Sequence, residues 1–190
     1  VNPRQLPEYV AALREILARL KLEASFYGHA AAGLLHVRPL LDLHSAEDVR
    51  RFRLLADEVS HLVRQFKGSL AAEHGVGIAR TEYLEAQVGE ALLGVMREIK
   101  QSFDPHNLFN PGKIIPGESN FRIDSNLRLG PGYKLELPFT PVLAFAAKDE
   151  SFVRNLEQCN GCGGCRKETP SMCPTFLVTG QELLSTRGRA

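Results

Sequence analysis

The chain has 190 residues, 44% of them hydrophobic, with a formal net charge of +1. That allows one ordinary domain with a buried core plus a small appendage. A near-neutral balance without a basic stripe gives no electrostatic support for a nucleic-acid partner, and no apolar run reaches transmembrane length.

Leu6, Val10, Leu13, Leu17 and Leu20 recur on one face and predict a first helix. Residues 22–28 read as a strand running into Gly28-His29, and residues 34–41 as a second strand. Ser45-Ala-Glu-Asp48 has the form of a helix N-terminus, and Val49, Phe52, Leu55, Val59, Val63 and Phe66 give that helix its apolar face. A short strand is expected at 68–72, ahead of Glu73-His74-Gly75-Val76-Gly77. A long helix follows over 89–102, with Leu92, Leu93, Met96 and Ile99 inward, and Asp104-Pro105 ends it. Helices alternating with short strands around one sheet give an α+β domain. Residues 111–155 carry Pro111, Pro116, Pro131, Pro138 and Pro141 and read as an extended connector. The expected division is a domain over 1–115, a connector over 116–151 and a cysteine-bearing module over 152–190. Val1 is not an initiator methionine, and the sequence stops just past a plausible helix start at Ser185-Thr186. The expectation is a piece of a longer protein.

All four cysteines lie in that last module, as Cys159-x2-Cys162-x2-Cys165-x7-Cys173-Pro174. Three thiolates at three-residue steps followed by a distant Cys-Pro is a ligand pattern of iron–sulfur clusters, whose soft iron takes thiolate sulfur. Gly161, Gly163 and Gly164 let the chain curl between the ligands. Structural zinc is the first alternative, although it usually takes two separated cysteine pairs or added histidines. Disulfides are the second, although nothing reads as a signal peptide. Thiols kept for a metal point to a reducing compartment, most simply the cytoplasm.

Gly28-His29-x6-His36 carries the other informative pattern. Histidines seven apart on one strand face opposite ways, so they converge only if the chain turns between them. The Ala-Ala-Ala-Gly33 stretch is a feasible turn. Glu73, expected at a strand end, could add a carboxylate, and two histidines with one carboxylate leave coordination positions open, as in catalytic sites. His74 beside it could act as a base. A hydrogen-bonded structural role for these histidines is the plain alternative.

Three stretches together resemble one family. They are Tyr27-Gly28-His29-x6-His36, Gly68-Ser69-x3-Glu73-His74-Gly75-Val-Gly77, and Phe103-Asp104-Pro105-x2-Leu108-Phe-Asn110-Pro111-Gly112-Lys113-Ile114. The resemblance is to the C-terminal, or cap, domain of FAD-linked oxidases of the D-lactate, glycolate and D-2-hydroxyglutarate dehydrogenase type, within the vanillyl-alcohol-oxidase-like fold. It implies an antiparallel sheet with helices over residues 1–115. With the cysteines it implies a large bacterial FAD/iron–sulfur oxidoreductase, in which a flavin dehydrogenase is fused to a two-cluster, helical ferredoxin-like module.

The resemblance implies roles for particular residues. His29, His36 and Glu73 match divalent-metal ligands, for zinc or manganese. His74 matches the base, and Asn110 and Lys113 lie in the segment returning toward the flavin. Cys159, Cys162 and Cys165 would hold one 4Fe-4S cluster, and Cys173 would serve its neighbour. FAD would be held mainly by an upstream domain. The substrate would be a small D-2-hydroxy acid, and the electron acceptor another protein or a quinone, reached in the cytoplasm or at the periphery of the inner membrane. Two departures stand out. The usual Gly-Asp-Gly-Asn turn is Ala31-Ala32-Gly33-Leu34 here, and Arg38 stands where an asparagine commonly contacts substrate. A cationic Arg38 could pair with a substrate carboxylate. The contrasting class is a non-catalytic iron–sulfur carrier or docking module.

Overall fold

The computed structural model describes residues 1–117, 121–142, 151–159, 162–167, 169 and 172–189. They divide into two compact units, Val1–Tyr133 and Lys134–Ala190.

In the first unit, the Asn2 side chain accepts from the Arg4 amide at 3.0 Å and starts a short 3₁₀ turn. Helix α1 (Leu6–Arg19) continues from it, with Glu8 in its first turn and Arg19 in its last, each favourable to the helix dipole. Its buried face is Tyr9, Leu13, Ile16 and Leu17, close to the expected stripe. Strands β1 (Ala24–His29) and β2 (Leu34–Pro39) pair antiparallel, from Ala24↔Pro39 to His29↔Leu34. This hairpin forms a two-stranded sheet. Helix α2 (Ala46–Gln65) begins where Ser45 Oγ accepts from the Asp48 amide, as the sequence predicts.

The core lies between α1, α2 and one face of the hairpin. Leu13, Leu17, Leu55, Leu62 and Val63 are buried in it, and Phe26, Leu35 and Val37 pack against it from the strands. Tyr9 meets Phe66 edge-on, with ring centroids 5.5 Å apart. Each such aliphatic side chain contributes about 1.5–3 kcal/mol by leaving water. Alternation along the strands therefore fixes the opposite face, with Tyr27, His29, His36 and Arg38, as the outward one.

Two expectations fail beyond α2. There is no strand at 68–72, where residues 70–74 turn instead. The Gly68 amide closes back on the Val63 carbonyl at 2.8 Å, and the Gly68 carbonyl is taken by Gln87 Nε2 at 3.0 Å. With its backbone groups committed in this way, the segment does not join the sheet. Glu73 consequently sits on a turn and not at a strand end. After the short helix α3 (Leu84–Val88), helix α4 (Glu90–Phe103) forms as expected, but its buried line differs. Leu93 is fully buried, whereas Leu92 and Ile99 are 50% and 55% exposed. Val95 and Phe103 of α4 are likewise exposed, at 49% and 86%.

A polar cluster joins α2 to the residues after it. Arg53 binds Glu82 at 2.5 Å and Asp57 at 3.1 Å, and Tyr83 donates to Asp57 at 2.8 Å. The Ile123 amide donates to the other Glu82 oxygen at 2.7 Å, so residues 121–124 are tied to the same cluster. Burial opposes the charge on Arg53, but its bonds to Glu82 and Asp57 outweigh that and raise its pKa. Burial, then donation to Asp57, pushes the Tyr83 phenol up.

In the second unit, helices span Phe152–Glu157, Pro174–Thr179 and Thr186–Arg189. Ser151 Oγ caps the first by accepting from the Arg154 amide at 3.1 Å. Among the described residues of 116–151 there is neither helix nor strand. Positions 118–120 and 143–150 of that stretch, and Gly161 of the cysteine run, lie outside the described residues.

Asp104 ends α4 with a buried carboxylate. It pairs with Lys100 and accepts from the Leu108 and Phe109 amides, each at 2.9 Å. The Lys100 ammonium, helped by those amides, holds the Asp104 carboxyl at about 2. A carboxylate depressed in the folded state contributes stability above its unfolded pKa, and loses it as pH falls toward the folded value. Asp104→Asn is therefore expected to lower the melting temperature at neutral pH. The gap between variant and wild type should close as pH drops from about 4 toward 2. Thermal unfolding followed across that range checks both the sign and the window.

Candidate active site

The outward face of the hairpin collects the histidines. Tyr27 lies directly opposite His36, and His29 is two residues further along the same face of β1. The turn over Ala30–Ala32 closes at Gly33, which adopts φ +67°. A Cβ on Gly33 would stand 1.8 Å from the Val1 carbonyl oxygen, so both the conformation and the space call for glycine. The odd spacing of the histidines is thus resolved by reversal, since residues 29 and 34 pair across the ladder.

Glu73 completes the cluster from its turn. Glu73 Oε1 lies 3.6 Å from His29 Nε2, and Oε2 lies 3.0 Å from His36 Nε2. His74 Nε2 is 3.5 Å from the same Oε2. One candidate ligand atom from each of His29, His36 and Glu73 falls within 4.8 Å of the others. Three atoms each about 2.1 Å from one tetrahedral ion such as zinc would lie about 3.4 Å apart, and the two Glu73–histidine separations of 3.6 and 3.0 Å fall on either side of that spacing. Two imidazoles with a carboxylate also suit manganese or iron by donor type. The His36 side chain is 22% exposed, against 66% for His29 and 73% for His74. The cluster is rooted on one side and open to solvent on the other.

Arg38 is the next outward residue of β2 after His36. Its guanidinium lies over the Tyr27 ring, 5.2 Å from the centroid, and that ring in turn stacks on His36 at 4.6 Å. Tyr27 has no role in the sequence reading, although a period of two places it on the His29 face. Asn110 and Lys113 are not in the histidine cluster. They sit on the turn after α4, where Lys113 Nζ approaches Asn110 Oδ1 at 3.4 Å, and they line a shallow cleft with Arg97 and Lys100.

In the second unit, Cys159, Cys162 and Cys165 line one cavity of about 910 Å³, walled by Leu137, Phe139 and Phe152 among others. The Gly164 and Arg187 amides donate to the sulfurs of Cys162 and Cys165, each at 3.4 Å. Cys173 is buried and does not line that cavity; its thiol donates to the Leu184 carbonyl at 3.5 Å. Three of the four cysteines thus line one cavity. Among the described residues no helix is long and apolar enough to cross a membrane.

The pattern of the family described as FAD linked oxidases, C-terminal domain, matches residues 1–114, which include the hairpin, the Glu73 turn and the Asn110–Lys113 segment. A D-2-hydroxyglutarate dehydrogenase of Escherichia coli (strain K12) is 35% identical over 192 residues, covering the whole of this chain and 18% of the relative. A D-2-hydroxyglutarate dehydrogenase of Haemophilus influenzae is 35% identical over 196 residues, with the same coverage. A glycolate oxidase subunit of Bacillus subtilis is 28% identical over 119 residues, covering 63% of this chain and 25% of the relative. The chain thus spans about a fifth of the length of the first two relatives.

Proposed function

This chain belongs to the family of FAD-linked oxidase C-terminal domains, and on that premise we propose that it forms the substrate side of a flavin-dependent D-2-hydroxy-acid dehydrogenase. The convergence of His29, His36 and Glu73, with His74 alongside, carries the reading. A docking module has no need of an open ligand set on an outward strand face. The substrate class is D-2-hydroxyglutarate in particular. Relatives of that name align along the whole chain, whereas the glycolate oxidase subunit aligns over 63% of it.

His29, His36 and Glu73 would hold a divalent cation, which would supply Lewis acidity toward the substrate's 2-hydroxyl. His74 accepts the hydroxyl proton at Nε2, and Glu73, 3.5 Å away, steadies the imidazolium that results. Arg38, parked over Tyr27, pairs with a substrate carboxylate. The hydride acceptor is FAD. Asn110 and Lys113 would contact the flavin from their turn, with its main binding surface supplied by another domain. In the full-length protein, His74→Ala is expected to slow flavin reduction by substrate by about 10²–10⁴-fold. Stopped-flow absorbance measures this, and a wild-type rate would remove His74 as the base. Arg38→Ala should raise KM for D-2-hydroxyglutarate more than for D-lactate. Equal effects on both acids would remove the pairing with the second carboxylate.

The cysteine-bearing module would supply the electron exit, to a further protein or a quinone. Cys159, Cys162 and Cys165 would hold one 4Fe-4S cluster, and the Gly164 and Arg187 amides that donate to Cys162 and Cys165 would stabilise charge on those sulfurs. Cys173 serves a neighbouring cluster. The domain division follows this split of roles, with the cap over 1–115, the connector over 116–151 and the cluster module over 152–190. Anaerobically purified full-length protein is expected to contain iron with matching acid-labile sulfide. One zinc per chain and no iron would overturn the cluster in favour of a structural zinc site.

A further inference from the structure

The Glu73 turn and the Asn110–Lys113 turn carry the two halves of the proposed site, and neither contains a helix or strand. Both are held by the short stretch 80–87. Gln87 Nε2 binds the Gly68 carbonyl at 3.0 Å, and Arg80 binds the Gly75 carbonyl at 3.3 Å. Thr81, which is fully buried, donates its hydroxyl to the Gly77 carbonyl at 2.8 Å. The same oxygen accepts from the Ile114 amide at 2.9 Å, from a residue 33 positions away in sequence.

Ile114 is the strained residue of this region. It is β-branched yet adopts φ +68°, and the Ile115 amide turns back to the Lys113 carbonyl at 2.8 Å around it. That is the rare, strained form of a three-residue turn. Such a conformation persists only where the surroundings over-determine it, and strain of this kind gathers at functional sites. The bond from the Ile114 amide to Thr81 supplies the restraint. A hydroxyl can donate to one partner while accepting from another, and no apolar side chain of the same shape can do either.

We propose that Thr81 is a positioning residue that ties the Glu73–Gly77 turn to the Lys113–Ile114 turn through one oxygen atom, so that the substrate-side and flavin-side contacts are set together. The proposal rests on the reading of those two turns as the site. Thr81 touches neither substrate nor cofactor in this role. Its loss frees both turns at once, while the core of α1, α2 and the hairpin keeps its packing.

The test compares Thr81→Val and Thr81→Ser in the full-length protein by hydrogen–deuterium exchange, with zinc affinity measured alongside by equilibrium dialysis. Thr81→Val is expected to speed exchange roughly tenfold in the segments covering 73–77 and 110–115, with α1 unchanged. It should weaken zinc binding roughly 10–100-fold, and Thr81→Ser should restore both readouts. Faster exchange in one turn only, in neither, or uniformly through α1 would overturn the coupling. If wild-type protein takes up no zinc, the metal reading fails while the exchange comparison still decides the role of Thr81. If Thr81→Val does not fold, the wild type alone suffices: added zinc must slow exchange of the Ile114 amide, and an unchanged rate would sink the proposal.

Discussion

The cross-strand pairing of His29 with Leu34 is the constraint on which the site depends. It closes a four-residue reversal and converts an odd sequence spacing into a shared face. A one-residue slip of this register would turn one of the two imidazoles toward the core. Burial enforces the register, because Phe26, Leu35 and Val37 need the apolar side against α1 and α2. Two close approaches refine it. A Cβ at Gly28 would meet the Leu34 carbonyl oxygen at 2.2 Å, and one at Gly33 would meet Val1. Close backbone approach thus sets both glycine positions.

From that face outward, order depends on polar bonds. The hairpin brings two imidazoles, and Glu73 must be delivered by a turn with no ladder of its own. The delivery runs through Arg53, which anchors Glu82, and through Thr81, next to Glu82 in the chain. A half-buried guanidinium serving two carboxylates is costly to desolvate and costly to break. Its use here fits a need for a fixed position more than a need for stability. Asp104 performs the matching service on the other side, gathering two amides so that the chain can reach Asn110 and Lys113.

The legibility of the sequence divides along the same line. Helices α1 and α2 were readable because apolar period and capping agree, as Ser45 and Asp48 illustrate. The hairpin was readable from two short apolar runs around a glycine. The segment 68–72 looked like a strand because it is short and partly apolar, yet its backbone groups are claimed by Val63 and Gln87. Nothing local announces a side chain that arrives from 19 residues away. Helix α4 was placed correctly, but its apolar residues run round more than one face, so periodicity could not pick Leu93 as the buried one. Thr81 carried no signal at all, since a threonine before a short helix is unremarkable until both partners of its oxygen are in view. The three cysteines at three-residue steps, Cys159, Cys162 and Cys165, line one cavity.

The charge inventory of the outward face points toward the substrate proposed for it. Glu73 is the carboxylate within reach of the three imidazoles, so the bare cluster is mildly anionic when they are neutral. A divalent cation held there reverses that sign, and Arg38 on the same strand face adds a further positive charge. With the proposed cation in place the face would carry an excess of two positive charges, which a 2-hydroxy dicarboxylate would balance and a monocarboxylate would leave half satisfied. In a partly open site such a mismatch is moderated by water, so it acts on selection among acids more than on tight binding of any one. In the proposed site, Arg38 is thus the charge that would read the carboxylate at the far end of a dicarboxylic substrate.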